Sequence, residues 1–251
     1  MSEPILTTLA GSHAHGINTE ASDFDYVSVT MAPLESTLGI APEVKTKIER
    51  DAPDGTRAAA GDVEHTTYEL RHFLKLATQG NPNILVPLFC APEHITHITH
   101  ITSAGMGLRM LAPAVVSMQA VHRHLGYLDA QYGRMRGIGP HQSRKPSRPE
   151  LVEAHGYDTK YAAHALRLAW QGIDLACFGK IVLPMRLTEQ KTLLAIRAGH
   201  WEEAKVCEVI EHNRDILRDH VNGVLTSKLP EHPDYDEINR WLIHIQRGPL
   251  K

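Results

Sequence analysis

The residues of this chain with the clearest chemical potential lie in one segment, GSHAHGINTEASDFDY, at positions 11–26. A Gly-Ser turn, Gly11-Ser12, is followed after ten residues by Asp23 and Asp25. Glycine lets a backbone approach a phosphate chain closely, and the serine hydroxyl and amide can donate hydrogen bonds to it. Two carboxylates spaced by one residue share a face when they lie on a strand, where they could hold divalent cations. The spacing predicts a site for a triphosphate and its cations.

A third carboxylate on a neighbouring strand would complete such a site and help to remove the proton from an attacking hydroxyl. Asp62 and Glu64 are both candidates, and their spacing of one residue again allows one strand face. The ordinary alternative for Glu64 is a solvated strand residue. From the residues alone, the choice between these two acids stays open.

Two histidines lie beside the Gly-Ser turn. His13 and His15 could donate hydrogen bonds to a phosphate or to the acceptor of the transferred group. Histidines in such positions more often pack against neighbours or face solvent. The sequence therefore ranks both below the carboxylates as site residues.

The elements that position these residues are predicted from hydrophobic patterning. The runs 5–9 and 26–31 are typical of strands, the second leading directly out of the acidic pair. Residues 33–61, rich in Pro, Gly and charge, indicate an exposed loop. A short strand near Val63 is expected to precede a helix that begins with a capping box of Thr66 and Glu69.

The rest of the chain is predicted to be helical. Apolar residues recur at helical spacing in ELRHFLKLATQG, and Asn81-Pro82 is typical of the start of a further helix. Strand signals fade beyond residue 110, where several long helical patterns follow. The sequence thus predicts an α+β fold: a small mixed-sheet domain over 1–110 and a helical domain over 111–251.

Composition excludes several classes of protein. The chain has 251 residues, 42% hydrophobic and 22% charged, with a net charge of −3, which gives no overall attraction to nucleic acid or anionic membrane. Its three cysteines, Cys90, Cys177 and Cys207, show no paired spacing, which favours a reducing compartment. No uninterrupted apolar run approaches the ~20 residues that span a bilayer. We expect a cytoplasmic protein that does not contact membranes.

The Gly-Ser turn and the Asp-x-Asp pair resemble the signature of the DNA polymerase β nucleotidyltransferase superfamily. Further segments resemble its RNA-ligase-associated and bacteriophage group, so that the resemblance covers nearly the whole chain. These segments are YELRHFLKLATQGNPNILVPLF, GYDTKYAAHALRL, GKIVLP, IRAGHW and SKLPEHPDYDEINRWL. The resemblance implies a mixed sheet flanked by helices, two magnesium ions and a nucleoside triphosphate (NTP) donor. It leaves the acceptor unidentified.

The resemblance also implies roles for individual residues. Asp23 and Asp25 would bind both metal ions, and Asp62 is the position where the resemblance places the third acid, with Glu64 as the runner-up. In the helical half, Lys160 would contact phosphate, and His164 lies four residues later on the same helix face. An exposed lysine and a half-buried histidine on an amphipathic helix are an equally ordinary interpretation of that pair.

The sequence says least about the identity of the acceptor of the transferred group. RNA is one candidate, because residues 134–148 contain five Lys and Arg residues and no acid, although a solvated loop is the more ordinary interpretation. The leading hypothesis is a metal-dependent transfer of a nucleoside monophosphate to a hydroxyl group, with release of pyrophosphate. The alternative is a non-catalytic nucleotide- or RNA-binding regulatory protein that retains the same fold.

Overall fold

The computed structural model describes residues 3–40, 45–51, 59–90, 98–137 and 148–247. The chain divides into two compact units. The first contains the described residues up to Val116 and from His232 onwards, and the second is Ser117–Glu231. The architecture is α+β, as the sequence predicts.

The strands of the first unit form one mixed sheet. The described strands are β1 (Pro4–Leu9), β2 (Phe24–Thr30), β3 (Thr46–Arg50), β4 (Val63–Glu69) and β5 (Ile98–Ile101). They lie in the order β3-β4-β2-β1-β5, in which β2 and β4 run parallel and the other neighbours antiparallel. The predicted strand over 5–9 is confirmed, and it is buried throughout because β1 lies inside the sheet. β2 begins two residues earlier than the run 26–31 indicates.

Seven described helices belong to the first unit. They are α1 (Gly11–His15), α2 (Leu34–Leu38), α3 (Leu70–Thr78), α4 (Pro82–Phe89), α5 (Ser103–Met110), α6 (Ala112–Val115) and, after the second unit, α12 (Tyr235–Arg247). The helix predicted over ELRHFLKLATQG is confirmed as α3. Its apolar residues at helical spacing, Leu70, Phe73, Leu74 and Ala77, are all buried. Asn81 caps α4 by accepting a hydrogen bond from the Asn83 N–H (3.1 Å), and Pro82 begins the helix as predicted.

The predicted capping box at Thr66 and Glu69 is wrong. β4 continues through Thr66, because its backbone pairs with β2 on one side and β3 on the other. Glu69 is itself the residue before α3, and its carboxylate accepts a hydrogen bond from the His72 N–H (3.0 Å). Hydrogen bonds to two neighbouring strands outweigh a local capping signal here, as tertiary context commonly does.

Residues 33–61 are not one continuous loop. They contain α2 and the strand β3, which pairs antiparallel with β4. Every residue of β3 is exposed, because β3 lies at one edge of the sheet. An exposed edge strand needs no alternation of apolar and polar residues, so the pattern that identifies buried strands is missing.

The end of the chain returns to the first unit, whereas the sequence analysis assigns all of 111–251 to the helical domain. The Asp234 N–H donates a hydrogen bond to the Ala114 carbonyl (2.8 Å), which holds the segment before α12. The indole of Trp241 on α12 lies so close to Gly107 that a Cβ placed there would be 2.8 Å from Trp241 Nε1. These contacts join helices that are far apart in sequence.

The second unit is helical over its described residues. Its helices are α7 (Met118–Met135), α8 (Pro149–His155), α9 (Thr159–Phe178), α10 (Leu187–Arg197) and α11 (Glu203–Val221). α9 contacts each of the other four. Its buried face carries many alanines, and small residues let neighbouring helices approach closely. No helix among the described residues is both long and apolar enough to span a bilayer.

The core of this unit contains a titratable side chain. His124 on α7 is fully buried, and its Nδ1–H donates to the Ala120 carbonyl oxygen (2.7 Å). Burial lowers the pKa of His124 to about 4, and the charge of Arg167 contributes in the same direction. The folded protein therefore holds this imidazole neutral down to a pH well below the value at which it would protonate in an unfolded chain.

We expect His124 to make the protein less stable in mild acid. Between pH 6.5 and about 4 the unfolded chain binds a proton that the folded chain rejects, so stability is lost as the pH falls through this range. The contribution is about 1.4 kcal/mol per pH unit. Urea unfolding from pH 7.5 to 4.5 should show a shallower loss for His124→Gln than for the parent. His122→Gln, an exposed position on the same helix, is the matched control. An unchanged slope in His124→Gln would contradict the expectation.

Candidate active site

Two parallel strands bring the acidic residues of the first unit together. Asp25 on β2 lies directly opposite Glu64 on β4 in the strand register. Residues opposite one another in a parallel pair project to the same face, so the two carboxylates are neighbours. Asp23 immediately precedes β2, and its charge also acts on Asp25. The structure thus clusters three carboxylates at the start of β2 and β4.

The electrostatics of this cluster are unfavourable in the absence of a cation. Burial and the negative charges of Asp23 and Glu64 together raise the pKa of Asp25 to about 6, while the charge of Arg50 acts in the opposite direction. Negative charges of Asp23 and Glu64 near Asp25 make it harder for Asp25 to ionise. A divalent cation would reverse that penalty, since it attracts all three charges at once.

The predicted Gly-Ser turn, which in the structure is the beginning of the short helix α1, lies against this cluster. Gly11 has a positive φ of 53°, and a Cβ placed on it would be 1.9 Å from Asp25 Oδ2. The Ala10 N–H donates a hydrogen bond to the main-chain oxygen of Asp25 (2.7 Å), which fixes the turn to β2. Only glycine permits this close approach of backbone to carboxylate. The predicted proximity of Gly11 and Asp25 is therefore a feature of the fold, and half-buried Ser12 follows in the same turn.

The two histidines of the turn differ in their surroundings. The His13 ring stacks on Phe24, with the ring centroids 4.3 Å apart and the planes at 17°. Phe24 lies between the two aspartates in sequence, and on β2 its side chain projects to the face opposite that of Asp25. The Nε2 of His13 is buried and has no hydrogen-bond partner among the described residues. His15 is only 3% exposed and belongs to the core, which removes it from contact with a ligand in solvent.

Asp62 has a different environment from Glu64. Its carboxylate accepts a hydrogen bond from the Ala59 N–H (2.7 Å), and so closes a turn before β4. Its main-chain oxygen accepts from the Phe24 N–H (2.8 Å). The carboxylates that raise the pKa of Asp25 are those of Asp23 and Glu64. The geometry therefore favours Glu64 as the third member of the cluster.

Arg50 is a site residue that the sequence analysis does not identify. It is opposite Glu64 in the antiparallel register of β3 and β4, and its guanidinium forms an ion pair with the Glu64 carboxylate. Its charge also lowers the pKa of Asp25. Arg50 could have been identified only if β3 had been predicted from its sequence. β3 is exposed along its whole length, so it lacks the alternation of apolar and polar residues that identifies a strand.

The donor set has the right chemistry for a hard divalent cation, although it is not fully assembled. Carboxylate oxygens are the ligands that Mg²⁺ prefers, and Asp23, Asp25 and Glu64 supply them. Within the described residues, no three His, Cys, Asp or Glu side chains converge closely enough to hold a metal ion as they stand. The ion pair with Arg50 occupies Glu64. Because Arg50 contacts Glu64 Oε2, Glu64 would bind a cation through its other carboxylate oxygen or after its side chain has moved.

The other predicted residues lie in the second unit. Lys160 is exposed in the first turn of α9, and its main-chain N–H donates to Asp158 Oδ1 (3.1 Å). His164 lies one turn further along, with Nε2 buried. The two residues share a helix face, as their spacing of four predicts.

Comparison with known proteins identifies similar sequences. A family model described as the RNA repair pathway DNA polymerase beta family (RlaP) matches residues 4–244. A curated protein of Enterobacteria phage T4, described as an uncharacterized 38.9 kDa protein in the nrdC-mobD intergenic region, is 28% identical over 90 residues. The alignment covers 36% of this chain and 26% of the phage protein, so the chain spans about a quarter of that relative's length.

Proposed function

Because the chain belongs to the RNA repair pathway DNA polymerase beta family, we propose that it transfers a nucleoside monophosphate from an NTP to a hydroxyl group and releases pyrophosphate. Family membership indicates a DNA polymerase beta-like nucleotidyltransferase. The observation that carries the finer proposal is the packing of Gly11 against Asp25, within a cluster that also contains Asp23 and Glu64. The proposed phosphate cradle and the proposed cation ligands would thus be adjacent, as nucleotidyl transfer requires.

The Gly-Ser turn is proposed to hold the triphosphate. The absence of a Cβ at Gly11 lets the Asp25 carboxylate lie directly against the backbone of the turn, so a phosphate held by the turn would be close to that carboxylate. The Ser12 hydroxyl and amide would donate hydrogen bonds to its oxygens. The unpartnered Nε2 of His13 would donate a further hydrogen bond when it carries the proton. This nitrogen is buried, as His15 is, so either histidine would have to become accessible before it could contact a phosphate.

Asp23, Asp25 and Glu64 are proposed to hold the magnesium ions. Two bound Mg²⁺ ions would neutralise charge on the triphosphate and make the acceptor hydroxyl more acidic. Glu64 would accept the proton of that hydroxyl, whose oxygen forms the new bond to the α-phosphorus while the bond to the pyrophosphate oxygen breaks. Arg50 would hold the Glu64 side chain in place before the substrates bind.

Further parts of the proposal concern the partners. Lys160 is proposed to contact phosphate, supported by its exposure at the start of α9. RNA is proposed as the acceptor, which the family's description supports. A cytoplasmic location is supported by the free thiols of the three cysteines, Cys90, Cys177 and Cys207.

A second candidate function is supported by one specific observation. The Arg50–Glu64 ion pair occupies a carboxylate that a metal ion would need, and no complete metal site is preassembled among the described side chains. A protein with this arrangement could bind nucleotide without turning it over. It would then act as a nucleotide- or RNA-binding regulator with the same fold.

The deciding experiment is a transfer assay with the full chain. Each of the four NTPs, labelled at the α-phosphate, is incubated with Mg²⁺ and an RNA oligonucleotide, and both RNA-bound label and pyrophosphate are measured. We expect label on the RNA together with an equal amount of pyrophosphate. Calorimetric binding of an NTP without pyrophosphate release, with RNA, protein and small-molecule acceptors all tried, would instead support the regulatory function.

The same assay separates the two candidates for the third acid. We expect Glu64→Gln to lower kcat/KM by about 100- to 1,000-fold, the usual cost of losing one stabilising group in the transition state. Asp62→Asn should stay within about 3-fold of the parent, because asparagine still accepts the hydrogen bond from Ala59. The reverse pattern, a large loss in Asp62→Asn and a small one in Glu64→Gln, would assign the role to Asp62.

A further inference from the structure

A cluster of cationic side chains in the second unit surrounds the ring of Tyr161 on α9. The guanidinium of Arg148, the residue before α8, lies 4.8 Å from the ring centroid, and that of Arg134 in the last turn of α7 lies 6.0 Å from it. The face of an aromatic ring attracts each cation. The ring does not cancel the repulsion between the two guanidinium groups, which both lie beside it. An anion bound between them would reduce this repulsion, so the arrangement favours anion binding.

The carboxylate within the cluster is already engaged. Asp158 is 2% exposed, and its carboxylate accepts hydrogen bonds from Arg148 Nη1 (3.2 Å) and from the main-chain N–H groups of Lys160 (3.1 Å) and Tyr161 (3.0 Å). Its charge is therefore shared between Arg148 and the first turn of α9. Arg134 forms no ion pair with a described carboxylate. The positive charge of Arg134 is left for a ligand from outside.

His164 provides an independent observation in the same place. Its Nε2 is buried and has no hydrogen-bond partner among the described residues. Burial and the positive charges of Arg167, Arg134 and Arg148 together lower the pKa of His164 to about 3. The imidazole is thus neutral at physiological pH in a strongly positive environment. A buried, unpartnered ring nitrogen among guanidinium groups suits an oxyanion, to which the ring N–H can donate.

We propose that Arg134, Arg148 and His164 bind a phosphate group of the RNA acceptor, an inference that rests on the proposed function for its choice of ligand. A phosphodiester oxyanion between the two arginines would relieve their repulsion, and the planar guanidinium fork matches the geometry of phosphate oxygens. Contacts of this kind hold a strand without reading its sequence. The triphosphate of an NTP carries the same phosphate oxyanions and could also bind to this cluster. The test distinguishes RNA from NTP as the source of the phosphate.

The test is a binding measurement without NTP or metal. Fluorescence anisotropy of a labelled single-stranded RNA of about 12 nucleotides is recorded between about 50 and 200 mM salt. Arg134→Gln should weaken the affinity by about 5- to 10-fold and lower the slope of log K against log salt by about 0.7, the value for one lost phosphate contact on a single strand. His164→Gln should weaken it by a smaller factor. Thermal unfolding of each variant checks that it folds.

The matched control is Arg218→Gln on α11, which removes the same charge from a side chain that is 42% exposed. Equal weakening by Arg218→Gln and Arg134→Gln would overturn the proposal, because it would mean that overall charge alone attracts the RNA. Weaker ATP binding by Arg134→Gln with unchanged RNA binding would also overturn it, since the cluster would then hold the donor. Loss of RNA binding in Arg134→Gln supports the site even if the parent transfers no nucleotide, which separates it from the proposed function.

Discussion

Asp25→Asn is expected to lower nucleotide transfer by about 1,000- to 10,000-fold while the protein stays folded. Asp25 lies opposite Glu64, next to Asp23 and against Gly11, so it is the carboxylate on which the whole cluster depends. Asparagine keeps the shape of the side chain but removes the charge that a cation would bind. The loss exceeds that of a single hydrogen bond because both metal ions of the proposed mechanism would lose a ligand.

Asp25→Asn should make the protein more stable, although it lowers activity. The pKa of Asp25 is raised to about 6 by burial and by its acidic neighbours, so the ionised carboxylate opposes folding at neutral pH. Removing it should raise the free energy of unfolding in metal-free buffer, as measured by urea denaturation with a chelator present. Asp62→Asn, a neighbouring aspartate of the same type, is the control and should keep its activity. Retention of more than a tenth of the parent activity by Asp25→Asn would refute the proposed role.

Gly11→Ala is expected to reduce both transfer and stability. A Cβ at this position would lie 1.9 Å from Asp25 Oδ2, and alanine also disfavours the φ of 53° that Gly11 adopts. Either the turn or the carboxylate must move, and both belong to the proposed site. We expect a loss of at least about 100-fold in kcat/KM, since small displacements of positioned groups have effects of this size. The free energy of unfolding should fall by about 1–3 kcal/mol.

Gly61→Ala is the control that separates two effects of Gly11→Ala: the steric clash of the new Cβ with Asp25, and the backbone strain of a non-glycine residue at positive φ. Gly61 also has a positive φ, of 84°, but a Cβ there would meet nothing within 4 Å. Gly61→Ala should therefore destabilise the protein through strain alone and leave transfer close to that of the parent. Urea denaturation and the transfer assay, applied to both variants, measure the difference. Equal losses of activity in the two variants would mean that the approach of Gly11 to Asp25 has no special role.

Much of the fold was predictable because it depends on local patterns. The buried strand β1 and the apolar face of α3 both follow from the spacing of apolar residues, which reports burial directly. The start of α4 follows from Asn81 and Pro82, whose conformational preferences need no tertiary contact. The helical character of the described residues in 117–137 and 148–231 follows in the same way.

Other elements could not be predicted because their signals are absent or ambiguous. β3 is exposed along its length, so no apolar period marks it. Thr66 and Glu69 match a capping box, yet hydrogen bonds to β2 and β3 extend β4 through Thr66. The return of α12 to the first unit depends on contacts such as that between Trp241 and Gly107, which no local pattern records.

The sequence by itself predicted the kind of chemistry, because the Gly-Ser turn and the pair Asp23 and Asp25 lie close together along the chain. It could not choose between Asp62 and Glu64, since a period of two puts both on one strand face. Only the parallel register of β2 and β4 brings Glu64 opposite Asp25 and leaves Asp62 in a turn. Register is set by hydrogen bonds between strands far apart in sequence, and that is information which only the tertiary structure contains.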